Sequence, residues 1–239
     1  MPLLNVDVKG LEVVVAAELS QDKVLCQELR DKVDFHEQNR IKFKLPSRLI
    51  AKVLKFRTIY GGTEYSFAND PDFMSVSTNP KYWKKVLDAY FDKYNGLARW
   101  HAAITQQVIA TGILEIPSGR YYHFQPTKDF RGQLKWPITQ IKNYPVQGYG
   151  ADLVKLARIE AFNRIKEQKL KSLFIQTIHD SLVYDCVDDE VEQVATILKH
   201  SIEAVPSLAL KYFGHKFTLP MTCEMMVGPN KNNMEVLDL

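Results

Sequence analysis

The run from Ser47 to Gly62 constrains the fold of this chain most, because its pattern predicts one helix with defined ends. Pro46 precedes Ser47, a residue type that caps helix N-termini, and Gly61 with Gly62 stops the helix. Side chains that recur every fourth residue stay on one stripe of a helix surface. Four residues in this run do so: Arg48, Lys52, Phe56 and Tyr60. This cationic–aromatic stripe therefore begins with two cations and ends with two aromatic rings.

The stripe suits a nucleoside triphosphate, because guanidinium and ammonium groups bind phosphates and aromatic rings pack against a sugar or base. The surrounding residues 38–63 include seven basic side chains and no acidic one, although the whole chain has a net charge of only +3. Such a local excess favours phosphate or nucleic acid over a membrane surface as a partner. Considered alone, the run is also compatible with a basic surface helix that has an aromatic underside.

Size and cysteine usage narrow the class of protein. With 239 residues, 46% of them hydrophobic, the chain can form one large domain or two interlocked subdomains. Its three cysteines are far apart and form no CxxC pair, which argues against a zinc site or a disulfide framework. The N-terminus lacks a signal-peptide pattern, and no apolar run reaches membrane-spanning length. We therefore expect a protein of the cytoplasm, in a bacterium or a phage-infected host cell, with no membrane partner.

Strand patterns lie near both ends of the chain and helical patterns lie between them, which predicts an α+β fold with one sheet made from both ends. The predicted strands are 3–8, 173–178, 182–187 and 219–227. The predicted helices besides 47–60 are 81–111, 149–169 and one capped by Asp188, with a hairpin over 113–124. Residues 12–19 have a pattern that could start as a strand and continue as a helix.

Two aspartates occupy the ends of predicted strands. Asp7 closes the first apolar strand, and Asp180 lies at the tip of the hairpin over 173–187. Carboxylates on neighbouring strands can bridge two Mg²⁺ ions, which is the arrangement that promotes in-line displacement at phosphorus. Either aspartate alone is equally compatible with an ordinary turn residue.

Together these residues resemble the palm and fingers of family A DNA polymerases, the bacterial polymerase I type with phage relatives. Asp7–Glu12 resembles motif A, Arg48–Gly61 resembles motif B, and His179–Ser181 resembles motif C. Further similar segments occur between and after the motifs: Asp34–His36, Gly119–Arg120, Asn143–Gly148 and Val227–Asn230. The resemblance covers essentially the whole chain. It implies a palm made from residues 1–22 and 140–239, and fingers made from residues 23–139.

The resemblance also implies a role for each matching residue. Asp7 and Asp180 would be the metal ligands for two Mg²⁺ ions and, with Lys52, the catalytic residues. The incoming dNTP would be bound by six residues: Glu12, His36, Arg48, Lys52, Phe56 and Tyr60. Among these, Glu12 would be a steric gate that excludes a ribose 2′-OH, with Tyr60 supporting it. The primer-template DNA would be contacted by Asn143, Gln147 and His179.

The sequence departs from the family pattern at four points. Ser181 stands where the bacterial enzymes carry a glutamate, Gly10 replaces a glutamine, and Thr139 falls where an arginine is expected. The sequence also starts six residues before Asp7, and we therefore expect a chain that lacks the thumb and the proofreading exonuclease of the family. These absences predict a split polymerase whose thumb and exonuclease belong to a separate polypeptide, or a minimal form that holds DNA weakly.

Two other interpretations remain open at this point. The first is a single-subunit RNA polymerase of the phage type, a family that has a similar helix and a His-Asp-Ser motif; Glu12 and Phe56 argue against it. The second is a non-catalytic nucleic-acid-binding subunit with a decayed site. Retention of both aspartates and of the complete cationic–aromatic stripe argues against decay.

Overall fold

The computed structural model describes residues 1–238. Its first part comprises Leu3–Val8 (β1), Leu11–Ser20 (α1), Lys23–Arg30 (α2), Phe35–Lys42 (α3), Arg48–Ile59 (α4), Glu64–Ala68 (α5), Pro71–Met74 (α6), Pro80–Lys93 (α7) and Asn95–Thr111 (α8). Two short hairpins and a long helix follow: Ile113–Glu115 (β2), Tyr121–His123 (β3), Thr127–Lys128 (β4), Leu134–Lys135 (β5) and Ile138–Glu167 (α9). The last part comprises Leu173–Ile178 (β6), Ser181–Asp185 (β7), Val191–Glu203 (α10), Val205–Phe213 (α11), Cys223–Asn230 (β8) and Asn233–Val236 (β9).

The chain divides into two compact units. The first unit contains Met1–Glu12 together with the chain from Gly148 onwards, and the second contains Val13–Gln147. The sequence predicts divisions after residues 22 and 139, whereas the units divide inside α1 and inside α9. The assignment of palm and fingers to these parts of the chain stays a prediction.

The first unit is built on a five-stranded antiparallel sheet in the order β6-β7-β1-β8-β9. Strands from both ends of the chain therefore form one sheet, which confirms the predicted α+β class. Leu4, Val6 and Val8 alternate along β1 and are buried, because successive side chains of a strand point to opposite faces. Helix α10 packs against β1 and β8, and it buries its own apolar side, which includes Val194 and Leu198.

Strand β6 lies at one edge of this sheet and is mostly solvent-exposed. Leu173 is 64% exposed and Ile175 is 48% exposed, although both are large and apolar. Phe174 is the half-buried residue of the strand, and its ring lies 5.4 Å from that of Tyr184 on β7. The pairing of β6 with β7 is thus maintained mainly by backbone hydrogen bonds and this one ring contact.

The second unit is helical and has two apolar clusters. The first cluster joins α5, α6 and α7 through the rings of Phe67, Phe73 and Trp83, whose centroids lie 4.9 to 5.4 Å apart. Phe67 stacks on Trp83, and Phe73 meets both rings edge to face. A second cluster places the β2–β3 hairpin against α8 and the start of α9 and consists of Ile104, Val108, Leu114, Phe124 and Ile141. The predicted hairpin over 113–124 is present.

One buried carboxylate holds the N-termini of two helices in the second unit. Asp22 is 1% exposed, and its side chain accepts a hydrogen bond from the Leu25 amide at the start of α2. Its other oxygen accepts from the Gly96 amide at 2.6 Å and from the Leu97 amide at 3.2 Å, in the first turn of α8. A side chain at Gly96 would meet the Asp22 backbone at 2.6 Å, so this contact requires glycine.

The predicted helix over 81–111 is wrong in one respect, because it is two helices. Tyr94 separates α7 from α8 with a non-helical backbone (φ −108°, ψ 60°). The capping of α8 by Asp22 supplies the hydrogen-bond acceptors that a continuous helix would have supplied from its preceding turn. The helix does end at Gly112, which has a left-handed φ of 71°.

Four other boundaries differ from the sequence predictions. Residues 12–19 are helical from their start, as part of α1, and Val13–Val15 are buried there. Helix α9 begins at Ile138 rather than at 149, since it continues through Pro145. Asp188 opens a short 3₁₀ turn rather than capping α10 with its side chain. The last predicted strand runs on through Gly228, and β9 follows it.

We expect Asp22→Ala to lower the free energy of unfolding by about 2–4 kcal/mol, because it removes three acceptor bonds from a buried carboxylate. Ser47 caps a single helix, and its side chain accepts from the Ile50 amide at 3.2 Å. Ser47→Ala should therefore cost only about 1 kcal/mol. Urea unfolding of both variants measures the two values, and equal costs would contradict the double-capping role of Asp22.

Candidate active site

The pairing of β1 with β7 brings the two predicted metal ligands of the first unit together. Asp7 lies opposite Ser181 in the register of these antiparallel strands. The Ser181 hydroxyl donates a hydrogen bond to Asp7 Oδ2 at 2.6 Å, and the Val8 amide donates to the Asp180 carbonyl oxygen at 3.2 Å. Asp7 therefore lies at the end of its strand beside the turn that carries Asp180.

The turn between β6 and β7 consists of His179 and Asp180. His179 has a positive φ of 53°, in the left-handed region that a tight turn between antiparallel strands requires. Burial raises the pKa of the Asp180 carboxyl above its ordinary value, and the negative charges of Asp7 and Glu12 raise it further. The structure thus holds two carboxylates close together at a cost in electrostatic energy, which a cation bound between them would remove.

Two more acidic side chains lie near this pair. Glu12 is in the first turn of α1, which follows a turn at Gly10 with a φ of 59°. A glycine at position 10 fits this left-handed backbone, which gives a physical reason for its departure from the family pattern. Glu224 of β8 lies opposite Asp7 on the other side of β1, and it forms an exposed ion pair with Lys9 at 2.9 Å.

The cationic–aromatic stripe is present in the second unit, on α4. Ser47 is the N-cap, as predicted, and Tyr60 is the C-cap. Gly61 follows the helix with a left-handed φ of 83°. Arg48 and Lys52 are exposed, and both aromatic side chains of the stripe, Phe56 and Tyr60, are half-buried. The cations are thus available to a ligand.

Helix α3 places His36 beside the stripe. The ring of His36 lies 4.4 Å from that of Phe35 and 6.4 Å from that of Phe56. Burial lowers the pKa of His36 to about 4, and the positive charges of Lys55, Arg48 and Lys52 act in the same direction. His36 is therefore neutral near pH 7 and can donate or accept a hydrogen bond as an imidazole.

Two contacts of this region escape prediction from sequence. The Arg48 guanidinium forms an ion pair with Asp34, with 2.8 Å between Nε and Oδ2. Lys55, which follows Lys52 by three residues on the same helix, is fully buried, and its ammonium nitrogen lies 3.1 Å from the centroid of the Phe35 ring. Burial lowers the pKa of Lys55 well below its usual value.

The buried end of Lys55 adjoins a network that links four helical segments. Tyr94 donates to Glu28 at 2.8 Å, and Lys93 forms an ion pair with Glu28 at 2.7 Å. Asn39 on α3 accepts from Lys93 at 2.8 Å and donates to the Tyr94 hydroxyl at 3.1 Å. Since α3 carries His36, this network fixes the helix that brings His36 to the stripe.

The three predicted DNA-contacting residues are distributed over both units. Asn143 and Gln147 lie one turn apart on α9 in the second unit, where Asn143 is half-buried and Gln147 is exposed. Both residues lie inside the helix rather than in a turn or at a cap. His179 is exposed at the β6–β7 turn of the first unit.

Other classes of site find no support among residues 1–238. No group of three or more His, Cys, Asp or Glu side chains there forms a ready-made metal site. Cys26, Cys186 and Cys223 are free thiols. No described helix combines the length and the continuous apolar character needed to span a bilayer.

Comparison with known proteins identifies the class. The sequence profile of DNA polymerase family A matches residues 1–233, and the chain therefore belongs to this family. The polymerase domain of Pol1 from M. smegmatis, solved in complex with DNA primer-template and dNTP, has the same fold, with a TM-score of 0.82. At 20% sequence identity, that likeness covers 96% of this chain and 40% of the other.

The similar curated sequences are DNA polymerase I proteins. The one from Caldicellulosiruptor bescii is 26% identical over 237 residues, which cover 95% of this chain and 26% of the relative. The one from Pseudomonas aeruginosa is 25% identical over 237 residues, which cover 95% of this chain and 24% of the relative. The chain thus spans about a quarter of the length of these relatives.

We expect Asp180→Asn to raise the melting temperature at pH 7. The pKa of Asp180 is raised in the folded state, so its ionisation near neutral pH favours unfolding, and the amide removes that penalty. The difference between variant and wild type should shrink as the pH falls towards 3.8, the ordinary aspartate value, because wild-type Asp180 then takes up a proton. Thermal scans at several pH values test this, with Asp189→Asn as an exposed control. A lower melting temperature for Asp180→Asn at pH 7 would contradict the prediction.

Stability should also depend on the buried His101 and the half-buried His36. Burial lowers the pKa of His101 to about 3, below its usual 6.5, as it lowers that of His36. Below pH 6.5 the unfolded chain takes up protons that the folded chain does not, so the unfolding free energy falls as the pH drops from 6.5 to 4. His101→Phe should reduce this fall by up to about 3 kcal/mol. Urea titrations at both pH values measure it. An equal reduction in the control, His200→Phe on the exposed part of α10, would argue against burial as the cause.

Proposed function

We propose that this chain catalyses template-directed DNA synthesis, in which a nucleotidyl group passes from a dNTP to a primer 3′-OH. The observation that carries the proposal is the pairing of β1 with β7, which holds the carboxylates of Asp7 and Asp180 together. Membership of DNA polymerase family A supports it. The first unit would act as the palm and the second as the fingers.

Asp7 and Asp180 fit the role of ligands for two Mg²⁺ ions. Their donors are carboxylate oxygens, which hard divalent cations prefer, and their mutual repulsion raises the pKa of Asp180. Bound there, Mg²⁺ would lower the pKa of the primer 3′-OH and neutralise charge on the triphosphate. The Ser181 hydroxyl, which donates to Asp7 Oδ2, would keep that carboxylate oriented while its other oxygen remains available.

The second unit would bind the triphosphate. Arg48 and Lys52 are exposed cations on one side of α4, and Lys52 would also neutralise charge on the leaving pyrophosphate. Neutral His36 would add a hydrogen bond to a phosphate oxygen. Phe56 would pack against the sugar, and Tyr60 would lie near the nascent base pair.

In the chemical step, one bond to the α-phosphorus forms and another breaks. The 3′-OH oxygen forms a bond to the α-phosphorus, the bond from that phosphorus to the bridging oxygen breaks, and pyrophosphate leaves with the electron pair. The hydroxyl proton passes to water. The contribution of the chain's own side chains is to position the reactants and to neutralise charge, which is the usual basis of catalysis in phosphoryl transfer.

Glu12 would exclude ribonucleotides, since a side chain in the place of the 2′-OH disfavours ribose by steric overlap. This choice distinguishes DNA synthesis from the RNA polymerase alternative suggested by His179–Ser181. The relative from M. smegmatis was solved with primer-template and dNTP, which supports DNA and dNTP as the ligands of this chain. Asn143, Gln147 and His179 would contact the primer-template.

A second polypeptide that carries a thumb and an exonuclease would complete the enzyme, in the cytoplasm of a bacterium or a phage-infected host cell. This part of the proposal follows from the sequence resemblance alone. In such a split enzyme, a thumb on the second polypeptide would contribute more to DNA affinity and processivity than to the rate of bond formation, because duplex affinity is largely phosphate neutralisation.

Primer extension by this chain with Mg²⁺ and dNTPs tests the proposed function. Asp7→Ala and Asp180→Asn should each lower the extension rate on the order of a thousandfold, the scale of several kcal/mol of metal-ion stabilisation. Lys52→Ala should lower it strongly, while Lys84→Ala, an exposed lysine that pairs with Asp88, should not.

The pattern of results separates the remaining possibilities. Extension that stops after one or two nucleotides would favour a split enzyme in which a second polypeptide holds the DNA. Incorporation of rNTPs as readily as dNTPs would favour RNA synthesis. Mg²⁺-dependent dNTP binding without extension by any mixture would favour a binding subunit, and absence of both would overturn the proposal.

A further inference from the structure

The Asp34 carboxylate at the start of α3 has two separate partners. Its Oδ1 accepts hydrogen bonds from the amides of His36 and Glu37, each at 3.1 Å, and thereby caps α3. Its Oδ2 lies 2.8 Å from Nε of Arg48 on α4. One oxygen therefore secures the helix that carries His36, and the other contacts the first cation of the stripe.

The contact with Arg48 has the chemistry of phosphate binding. A guanidinium group binds a carboxylate and a phosphate with the same N–H donors and in the same planar geometry. Any phosphate that approaches Arg48 along its Nε side must therefore compete with Asp34. Both side chains are about half exposed, 56% for Arg48 and 49% for Asp34, so that water and ligands reach the pair.

The positive charges around this pair favour a triphosphate over Asp34 as the partner of Arg48. Lys52 is exposed on the same stripe, and Lys55 lies buried behind Phe35. Lys55, Arg48 and Lys52 all act on His36 to lower its pKa, and Asp34 acts on it in the opposite direction. Asp34 thus offsets part of the repulsion among these cations, a role that a triphosphate with several negative charges fulfils better.

We propose that Asp34 is an internal competitor for the triphosphate site: it pairs with Arg48 in the nucleotide-free chain and yields Arg48 to the phosphates on binding. The proposal rests on the proposed function, in which Arg48 binds the triphosphate. An exposed ion pair of this kind is weak, so the exchange is easy for a polyanion. Asp34 remains tied to α3 through Oδ1, and its charge then opposes the bound anion and promotes release of pyrophosphate.

The chain offers a variant that removes the competition and keeps the cap. Asparagine is as good an N-cap as aspartate, so Asp34→Asn preserves the start of α3 while it replaces the oxygen that contacts Arg48 with an amide. Glu37→Gln is the matched control. It removes an equal charge from the same helix, but Glu37 pairs with Arg40, at 2.7 Å, rather than with Arg48.

Calorimetric titration of the full chain with Mg²⁺ and a dNTP, and separately with tripolyphosphate, tests the proposal. Asp34→Asn should bind both probes roughly two- to fivefold more tightly than wild type, and Glu37→Gln should not. The gain should vanish in an Arg48→Gln background, as a double-mutant cycle requires of a direct interaction. In primer extension, Asp34→Asn should lower KM for dNTP without an equal rise in kcat.

Four outcomes would overturn the proposal, and a fifth would separate it from the proposed function. Equal gains for Asp34→Asn and Glu37→Gln would show general repulsion instead of competition, and a gain that persists with Arg48→Gln would show that Arg48 is not involved. Weaker or unchanged binding by Asp34→Asn, or no binding of either probe by any variant, would likewise overturn it. Tighter binding of tripolyphosphate alone, with no dNTP binding by wild type, would support the competition and count against the proposed function.

Discussion

The register between β1 and β7 is the constraint on which the candidate chemistry depends. Strand pairing places Asp7 opposite Ser181, so that two carboxylates from opposite ends of the chain meet although their repulsion disfavours it. A slip by one residue would turn Asp7 to the buried face and would leave Asp180 without its neighbour. The buried side chains of β1, which alternate with Asp7, prevent such a slip. The apolar core thereby holds the two carboxylates together in spite of their mutual repulsion.

In the second unit, buried polar groups have the corresponding role. Asp22 joins the starts of α2 and α8, and the network of Glu28, Asn39, Lys93 and Tyr94 joins α2, α3 and the junction of α7 with α8. Buried polar groups are costly unless each has a hydrogen-bond or ion-pair partner. This requirement favours the one arrangement of helices in which the partners meet. Lys55 is an exception, because its buried ammonium has no hydrogen-bond partner among the described residues and lies over the Phe35 ring instead. Precision in the position of Arg48 and His36 thus comes from polar contacts as well as from packing.

Sequence reasoning succeeds here where the signal is local and fails where it depends on distant partners. Helix α4 is predictable because Ser47, Gly61 and a four-residue period define it. The break at Tyr94 is not, since its cause is Asp22, far away in the chain. Pro145 suggests a helix boundary, yet α9 continues through it, and the valines of α1 favour a strand, yet they are helical and buried. Likewise the aspartates of the site could be chosen from sequence, whereas Glu224 beside Asp7 and the pair of Asp34 with Arg48 require the register and the packing.

The exposed edge strand has a consequence for the dynamics of the candidate site. Strand β6 buries little, so its amide protons, and those of the β7 amides that bond to it, should exchange with solvent through local openings of low free energy. The β7 amides that bond to β1 should stay protected until the sheet itself opens. The turn with Asp180 belongs to both strands, but the bond from the Val8 amide to the Asp180 carbonyl ties it to β1. Fraying of β6 therefore leaves the two carboxylates in register. The end of the sheet that carries Asp7 and Asp180 thus does not depend on its least stable strand.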